Sequence, residues 1–332
     1  MPRPKLLMLD LPFHEHSRSS DFMLELLGRR FDVAREYLSA QDDPACLAAV
    51  RKHKPDVLVL FQIDFSPAAL TEANVPTVWV PMYDNINRQF DDRFVAAARM
   101  RECLFVLSRI HADQATFWNL PHHAAIYYPP MEPAPDFDVG NNRVLFWYRG
   151  PIQPADVAGA LTSIPNLEVV IKHDPDPTHV HVRRDDGALA PHVVEVFEGF
   201  LPKAEYAALV GSCGLYVAPR KAEGIGLSFL EAIARGAAVL AYDAPTMNEY
   251  MSHGVDGWLF GDGRVAPIDA GSISTVRAAS YERALKGRDA WLRGEDAVLD
   301  FVTGASKPNL ASNSAPFKTG VVGALKRLRR RR

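Results

Sequence analysis

The stretch PRKAEGIGLSFLEAIARGAAVLAYDAPTMNEYMSHGVDGWLF, Pro219 to Phe260, decides how this chain is read. It follows a short apolar run, Leu215-Tyr216-Val217, that reads as a buried strand. A loop holds Glu223-Gly224-Ile225-Gly226, a helix begins near Leu227, and Ala238-Val239-Leu240-Ala241 returns to a sheet. Two glycines let backbone approach a ligand without side-chain interference. The helix start adds free N–H groups and a partial positive charge of about half a unit, which suits a diphosphate. Glu231 lies four residues into the helix, about 6 Å along its axis at about 1.5 Å per residue. From there a carboxylate can accept two hydrogen bonds from ribose hydroxyls. Glu223 stands on the other side of the phosphates. Each feature alone has an ordinary reading, a plain turn or an acid favouring the helix dipole; their combination is what points to a site.

Outward from this stretch the same rhythm fills the chain. In the first half, Lys5–Leu9, Val57–Phe61, Thr77–Val80 and Leu104–Leu107 read as strands, and Asp21–Arg30 and Pro44–Lys52 as helices. In the second half, Val144–Tyr148, Leu167–Ile171 and Val193–Phe197 read as strands, and Ala155–Leu161 and Lys203–Val210 as helices. Short β-branched runs separated by helix-length segments predict parallel sheets with crossover helices. The break Pro129-Pro130-Met131-Glu132-Pro133-Ala134-Pro135 continues neither element. The expectation is an α/β protein of two Rossmann-like, doubly wound domains facing a cleft. Residues 1–138 form the first domain, joined by a C-terminal helix at about 281–305; residues 139–280 form the second, and 306–332 a polar linker and basic tail.

Composition excludes several classes. A chain of 332 residues with 48% hydrophobic and 23% charged residues is globular and long enough for two domains. Its net charge of -3 gives the body no reason to bind nucleic acid. Cys46, Cys103 and Cys213 form no CxxC or Cys/His pattern, so neither a metal site nor a disulfide framework is expected, and a reducing, cytoplasmic location fits. Lys5–Leu9 is too short for a signal-peptide core, and no apolar run approaches the roughly 20 residues of a membrane helix.

The Pro219–Phe260 segment resembles the signature of the retaining glycosyltransferases called family 4, or glycosyl transferases group 1. Glu223 and Glu231, separated by seven residues, match the family's paired glutamates. Glu-Gly-x-Gly-Leu, Glu-Ala-x-Ala-x-Gly ending at Gly236, and Asn248-Glu249 with Gly254 and Gly257 match as well. Weaker likeness covers Phe197-Glu198-Gly199-Phe200-Leu201-Pro202. The resemblance implies a GT-B fold and a nucleotide-sugar donor held mainly by the second domain. It also implies a glycan or lipid-linked acceptor held by the first domain, retention of anomeric configuration, no obligatory metal and no cofactor. Glu223 and Arg149 take catalytic roles, Arg149 being the basic residue that faces the diphosphate after the domain's first strand. Glu231, Gly224, Ile225, Gly226 and Leu227 bind the donor, and backbone near Lys172 and Phe200 reads its base. Two departures stand out. The family's lysine after that arginine is missing, leaving Lys221 or Lys172 to supply its charge, with Lys221 preferred. Where many members carry a first-domain histidine, the sequence reads Pro81-Met82-Tyr83-Asp84-Asn85, so Tyr83 or Asp84 takes that place.

Other candidates have plain readings. His14-Glu15-His16, whose alternate spacing suits metal ligands or a general base, is read as a polar loop that lines an acceptor pocket or is solvated. His122-His123 is read as no site, and Asp174-Pro175-Asp176, despite its Asp-x-Asp form, as a surface loop. The tail, with Phe317, Val321, Leu325 and the run Arg329–Arg332, is read either as a basic, amphipathic segment for an anionic membrane surface, worth about 1 kcal/mol per basic residue, or as a solvated tail, with non-specific nucleic-acid binding a lesser alternative. Polysaccharide or glycolipid synthesis at the inner face of a membrane is the expected setting. A catalytically weak sugar-nucleotide or glycan-binding subunit is the alternative, motivated by the two departures. A GT-B epimerase or phosphorylase shares the architecture but not the paired glutamates with Arg149.

Overall fold

The computed structural model describes residues 2–84, 103–137, 140–263 and 266–305. Asn85 and the basic tail read at 306–332 lie outside them. The described strands form two six-stranded sheets, one from each half of the chain. The first contains β1 (Lys5–Asp10), β2 (Asp32–Tyr37), β3 (Val57–Phe61), β4 (Thr77–Val80), β5 (Cys103–Val106) and β6 (His122–Ala124), in the order β2-β1-β3-β4-β5-β6. The second contains β7 (Arg143–Tyr148), β8 (Glu168–His173), β9 (Val193–Glu198), β10 (Leu215–Val217), β11 (Ala238–Tyr242) and β12 (Trp258–Phe260), in the order β12-β11-β10-β7-β8-β9. Every pairing between these strands is parallel. This is the two-domain α/β architecture expected from the sequence.

Central strands read clearly because both of their faces are covered by helices. Leu6 to Leu9 on β1 and Val57 to Phe61 on β3 are buried throughout, so no alternation appears. The strands that sequence reading missed, β2, β6 and β12, all lie at sheet edges. The β2 strand, DVAREY, has no fully buried residue, and β6 is only His122-His123-Ala124.

Parallel strands put all their carboxyl ends on one side, and ligands bind where strand order reverses. In the second sheet the chain runs from β7 through β8 to β9, then crosses to β10 on the other side of β7. The reversal therefore lies between β7 and β10, directly beneath Arg149 and the Glu223 loop. The carboxyl ends of the two sheets meet there. A Cβ on Gly224, beyond β10, would fall 3.0 Å from Asp84 Oδ1 and from Met82 Cβ, beyond β4.

A helix of 33 residues, Ile273–Ala305, about 50 Å long, ties the halves together. Its start buries Ile273 and Val276 against the second sheet's core. Its far end buries Trp291, Val298, Leu299 and Val302 in one cluster with Met23, Leu26 and Phe31. Trp291 meets Tyr127 edge-on at 4.9 Å, and Arg288 donates to the Tyr128 carbonyl at 3.0 Å.

Candidate active site in the cleft

The glycine loop is shaped by one backbone requirement. Gly226 caps the helix Leu227–Ala234 with φ +76°, and a Cβ there would lie 1.9 Å from the Phe229 ring. No side chain caps this helix, so its first N–H groups stay open at the cleft. Ile225 is buried beneath the turn and Leu227 half-buried at the helix start.

Glu223 is only 9% exposed. Burial pushes its carboxyl up to about 7; Asp84 and Asp176 add to that rise, while Arg220 and Arg149 oppose it. Arg220 Nη1 stands 3.6 Å from Glu223 Oε2. Asp84, from the first domain, is also raised by burial, against the pull of Arg220, His14 and the Gly224 N–H. Its Oδ1 accepts from Gln62 Nε2 at 3.2 Å. Glu223, Arg220, Asp84 and Gly224 thus form one group built from both domains.

Arg149, the first residue beyond β7, stacks its guanidinium 4.9 Å from the Trp147 ring. Its Nε donates to Asp176 Oδ1 at 2.8 Å, and its Nη2 donates to the same oxygen. Arg220 donates to that carboxylate twice, Nη2 to Oδ1 at 2.6 Å and Nε to Oδ2 at 2.9 Å. Burial would raise the Asp176 carboxyl, but the two guanidiniums win and hold it below its ordinary range.

The structure brings some expected residues together and separates others. Lys221 points away: its Nζ binds the exposed Asp262 at 2.6 Å and lies over the Tyr242 ring. Lys172 is buried and held by Asp174 at 2.6 Å, with its Nζ 4.3 Å from the Trp147 ring; burial lowers its pKa. Arg220, one position before Lys221, is the cation that reaches the cluster. Glu231 is half-buried, its carboxyl raised by burial and eased by Arg235 and Lys203. Phe200 is 70% exposed beside β9. Tyr83 is buried, its ring 5.7 Å from that of His111.

Two plain readings need correction. The Asp174–Asp176 segment is not merely a surface loop, because Asp176 knits Arg149 to Arg220. His14 is not in a solvated loop: it lies in the short helix Phe13–Ser17, buried, with Nδ1 bonded to the buried Asp10. Asp10 also accepts from Ser20 Oγ at 2.5 Å. The signal for Arg220 was its place just past a strand's carboxyl end, the same signal that marked Arg149. Among the described residues no group of three or more His, Cys, Asp or Glu is arranged to hold a metal, and no helix is long and apolar enough to cross a membrane.

Glu249 supplies a second link across the cleft. Its carboxylate accepts from the Arg109 N–H at 2.6 Å and the Ile110 N–H at 3.0 Å, the first turn of the helix Arg109–Phe117 in the other half.

Residues 181–279 match the family model described as Glycosyl transferases group 1. No curated protein matches the sequence. Among solved structures, Anabaena HepE in complex with UDP and glucose aligns with a TM-score of 0.61 and 16% identity, covering 91% of this chain and 100% of that one. A glycosyltransferase from Rickettsia africae ESF-5 aligns at 0.60 and 10% identity, covering 91% and 99%. Sucrose-phosphate synthase from Thermosynechococcus elongatus aligns at 0.59 and 14% identity, with the same coverage. The fold is therefore GT-B, and the matched segment contains Arg220, Glu223, the glycine loop and Glu231.

Proposed function

We propose that this chain is a glycosyltransferase that takes a nucleotide-diphosphate sugar into the cleft and transfers the sugar, with retention, to a glycan or lipid-linked hydroxyl. The observation that carries this reading is the convergence of Arg149, Arg220 and an uncapped helix start on the space beside Glu223. Breaking the bond from sugar C1 to the diphosphate builds negative charge on the leaving oxygen. Fixed positive groups in a water-poor cleft lower that barrier because they need no reorganisation as the charge grows. The glycine loop lets phosphate oxygens reach the N–H groups of Leu227 and Ser228. In this reading Glu231, on the same helix, binds the ribose hydroxyls.

In the same reading Glu223 and Asp84, close together from opposite domains, hold the sugar between them. With its carboxyl near 7, Glu223 is partly protonated at neutral pH and can donate to or accept from a sugar hydroxyl. The family likeness at residues 181–279 and the UDP and glucose in complex with HepE support a nucleotide-sugar donor. The test is a panel of UDP-, GDP- and ADP-sugars with the purified chain, read by release of nucleoside diphosphate. Turnover that disappears in Glu223→Gln and Arg149→Ala supports the reading; turnover unchanged in both removes these residues from the mechanism. The replacement of a first-domain histidine by Tyr83-Asp84 favours a second reading, a donor-binding subunit with little turnover of its own. Binding of a donor with no transfer to any acceptor would select it.

A further inference from the structure

Two arginines and one aspartate make an arrangement whose charge is incomplete. Arg149 and Arg220 carry two positive charges toward Asp176, which returns one negative charge. Oδ1 of Asp176 takes hydrogen bonds from both guanidiniums, while Oδ2 takes one from Arg220. A carboxylate gripped by two forked cations has the hydrogen-bonding pattern of one phosphate of a diphosphate. The group sits at the strand-order reversal, beside the open helix start and Glu223.

We propose that Asp176 is an internal stand-in for the donor's diphosphate, holding Arg149 and Arg220 ready until the donor displaces it. The displacement needs only a side-chain rotation. The Asp176 N–H bonds the Arg149 carbonyl at 3.0 Å, and its own carbonyl accepts from the His179 N–H at 2.7 Å, so the backbone stays pinned. The two cations keep their places without Asp176, Arg149 over the Trp147 ring and Arg220 beside Glu223. With the carboxylate turned away, Arg149 loses its anionic partner and Arg220 keeps only Glu223, so both guanidiniums face an incoming anion. Arg220 thereby supplies the second cation that Lys221, bound to Asp262, does not.

This inference rests on the reading of the cleft as a nucleoside diphosphate site, and UDP binding to the full chain by titration calorimetry tests both separately. Asp176→Asn removes the competing charge and keeps the shape, so it should tighten UDP binding by about tenfold, one charge's worth at a partly screened site. Arg220→Gln should weaken binding by about tenfold or more. Asp176→Ser serves as a second variant should the asparagine protein not fold. A merely structural Asp176 predicts weaker binding and a lower Tm, because its loss would loosen both arginines. UDP binding by the wild type with no tightening in either Asp176 variant overturns the stand-in role alone. Absence of binding by UDP, GDP, ADP and inorganic pyrophosphate to folded wild type overturns the reading of the cleft as well.

Discussion

Replacing Glu223 by glutamine should stabilise the protein at alkaline pH while abolishing turnover. The carboxyl is moved by burial from its ordinary 4.5 to about 7, with Asp84 and Asp176 pushing the same way and Arg220 and Arg149 pulling back. Between those two pH values the folded chain holds a proton that the unfolded chain has lost. Stability therefore falls as pH rises through this window, and the loss is complete above about pH 8. At about 1.4 kcal/mol per pH unit the full penalty is roughly 3 kcal/mol. Glutamine has nearly the same shape and no charge, so Glu223→Gln escapes the penalty. Urea denaturation of both proteins at pH 5 and pH 8.5 isolates the effect, since Asp84, Asp176 and the arginines are common to both. The variant's advantage should be small at pH 5 and about 2–3 kcal/mol at pH 8.5. An advantage equal at both pH values, or a variant less stable at pH 8.5, refutes the placement of a charged-or-neutral Glu223 in a desolvated cleft.

Arg149→Ala should lower turnover by about a hundredfold or more, the loss usual for a preorganised group facing developing charge, and should lower Tm as well because Asp176 keeps only Arg220. Gly226→Ala should destabilise the second half of the chain, because its φ of +76° costs a side chain about 1–2 kcal/mol before the collision with the Phe229 ring is counted. Urea titration followed by tryptophan fluorescence measures that loss. Glu249→Ala removes the acceptor of the Arg109 and Ile110 N–H groups from across the cleft while the Ser108 cap stays, and should cost about 1 kcal/mol, visible as a lower urea midpoint and as faster proteolysis between the halves.

The architecture was legible in the sequence where burial is two-sided. Runs such as Val57–Phe61 and Val144–Phe146 are buried on both faces and cannot be confused with loops. The edge strands β2 and β6 were not legible, since half-exposed or very short strands show no apolar signal. The glycine loop was readable because a tight turn before a helix restricts residue type, as Gly226 shows. The partners of the site were not. Asp176 and Arg220 are 44 residues apart and meet only because β8 and β10 flank β7. Lys221 and Arg220 are neighbours with opposite outward directions, a distinction that no spacing rule makes before the loop's path is known. Asp10 and His14 looked like a strand end and a polar loop, yet one turn of helix folds the imidazole back onto the carboxylate.

The helix Ile273–Ala305 makes the chain indivisible in a practical sense. A fragment ending near residue 270 would contain all of the first sheet but lose Trp291, Val298, Leu299 and Val302, which lie over Met23, Leu26 and Phe31. Its exposed apolar floor would draw copies together, so that fragment should precipitate. A rearranged gene that begins with residues 273–305 and joins them to the front of β1 would restore that cover from the opposite direction.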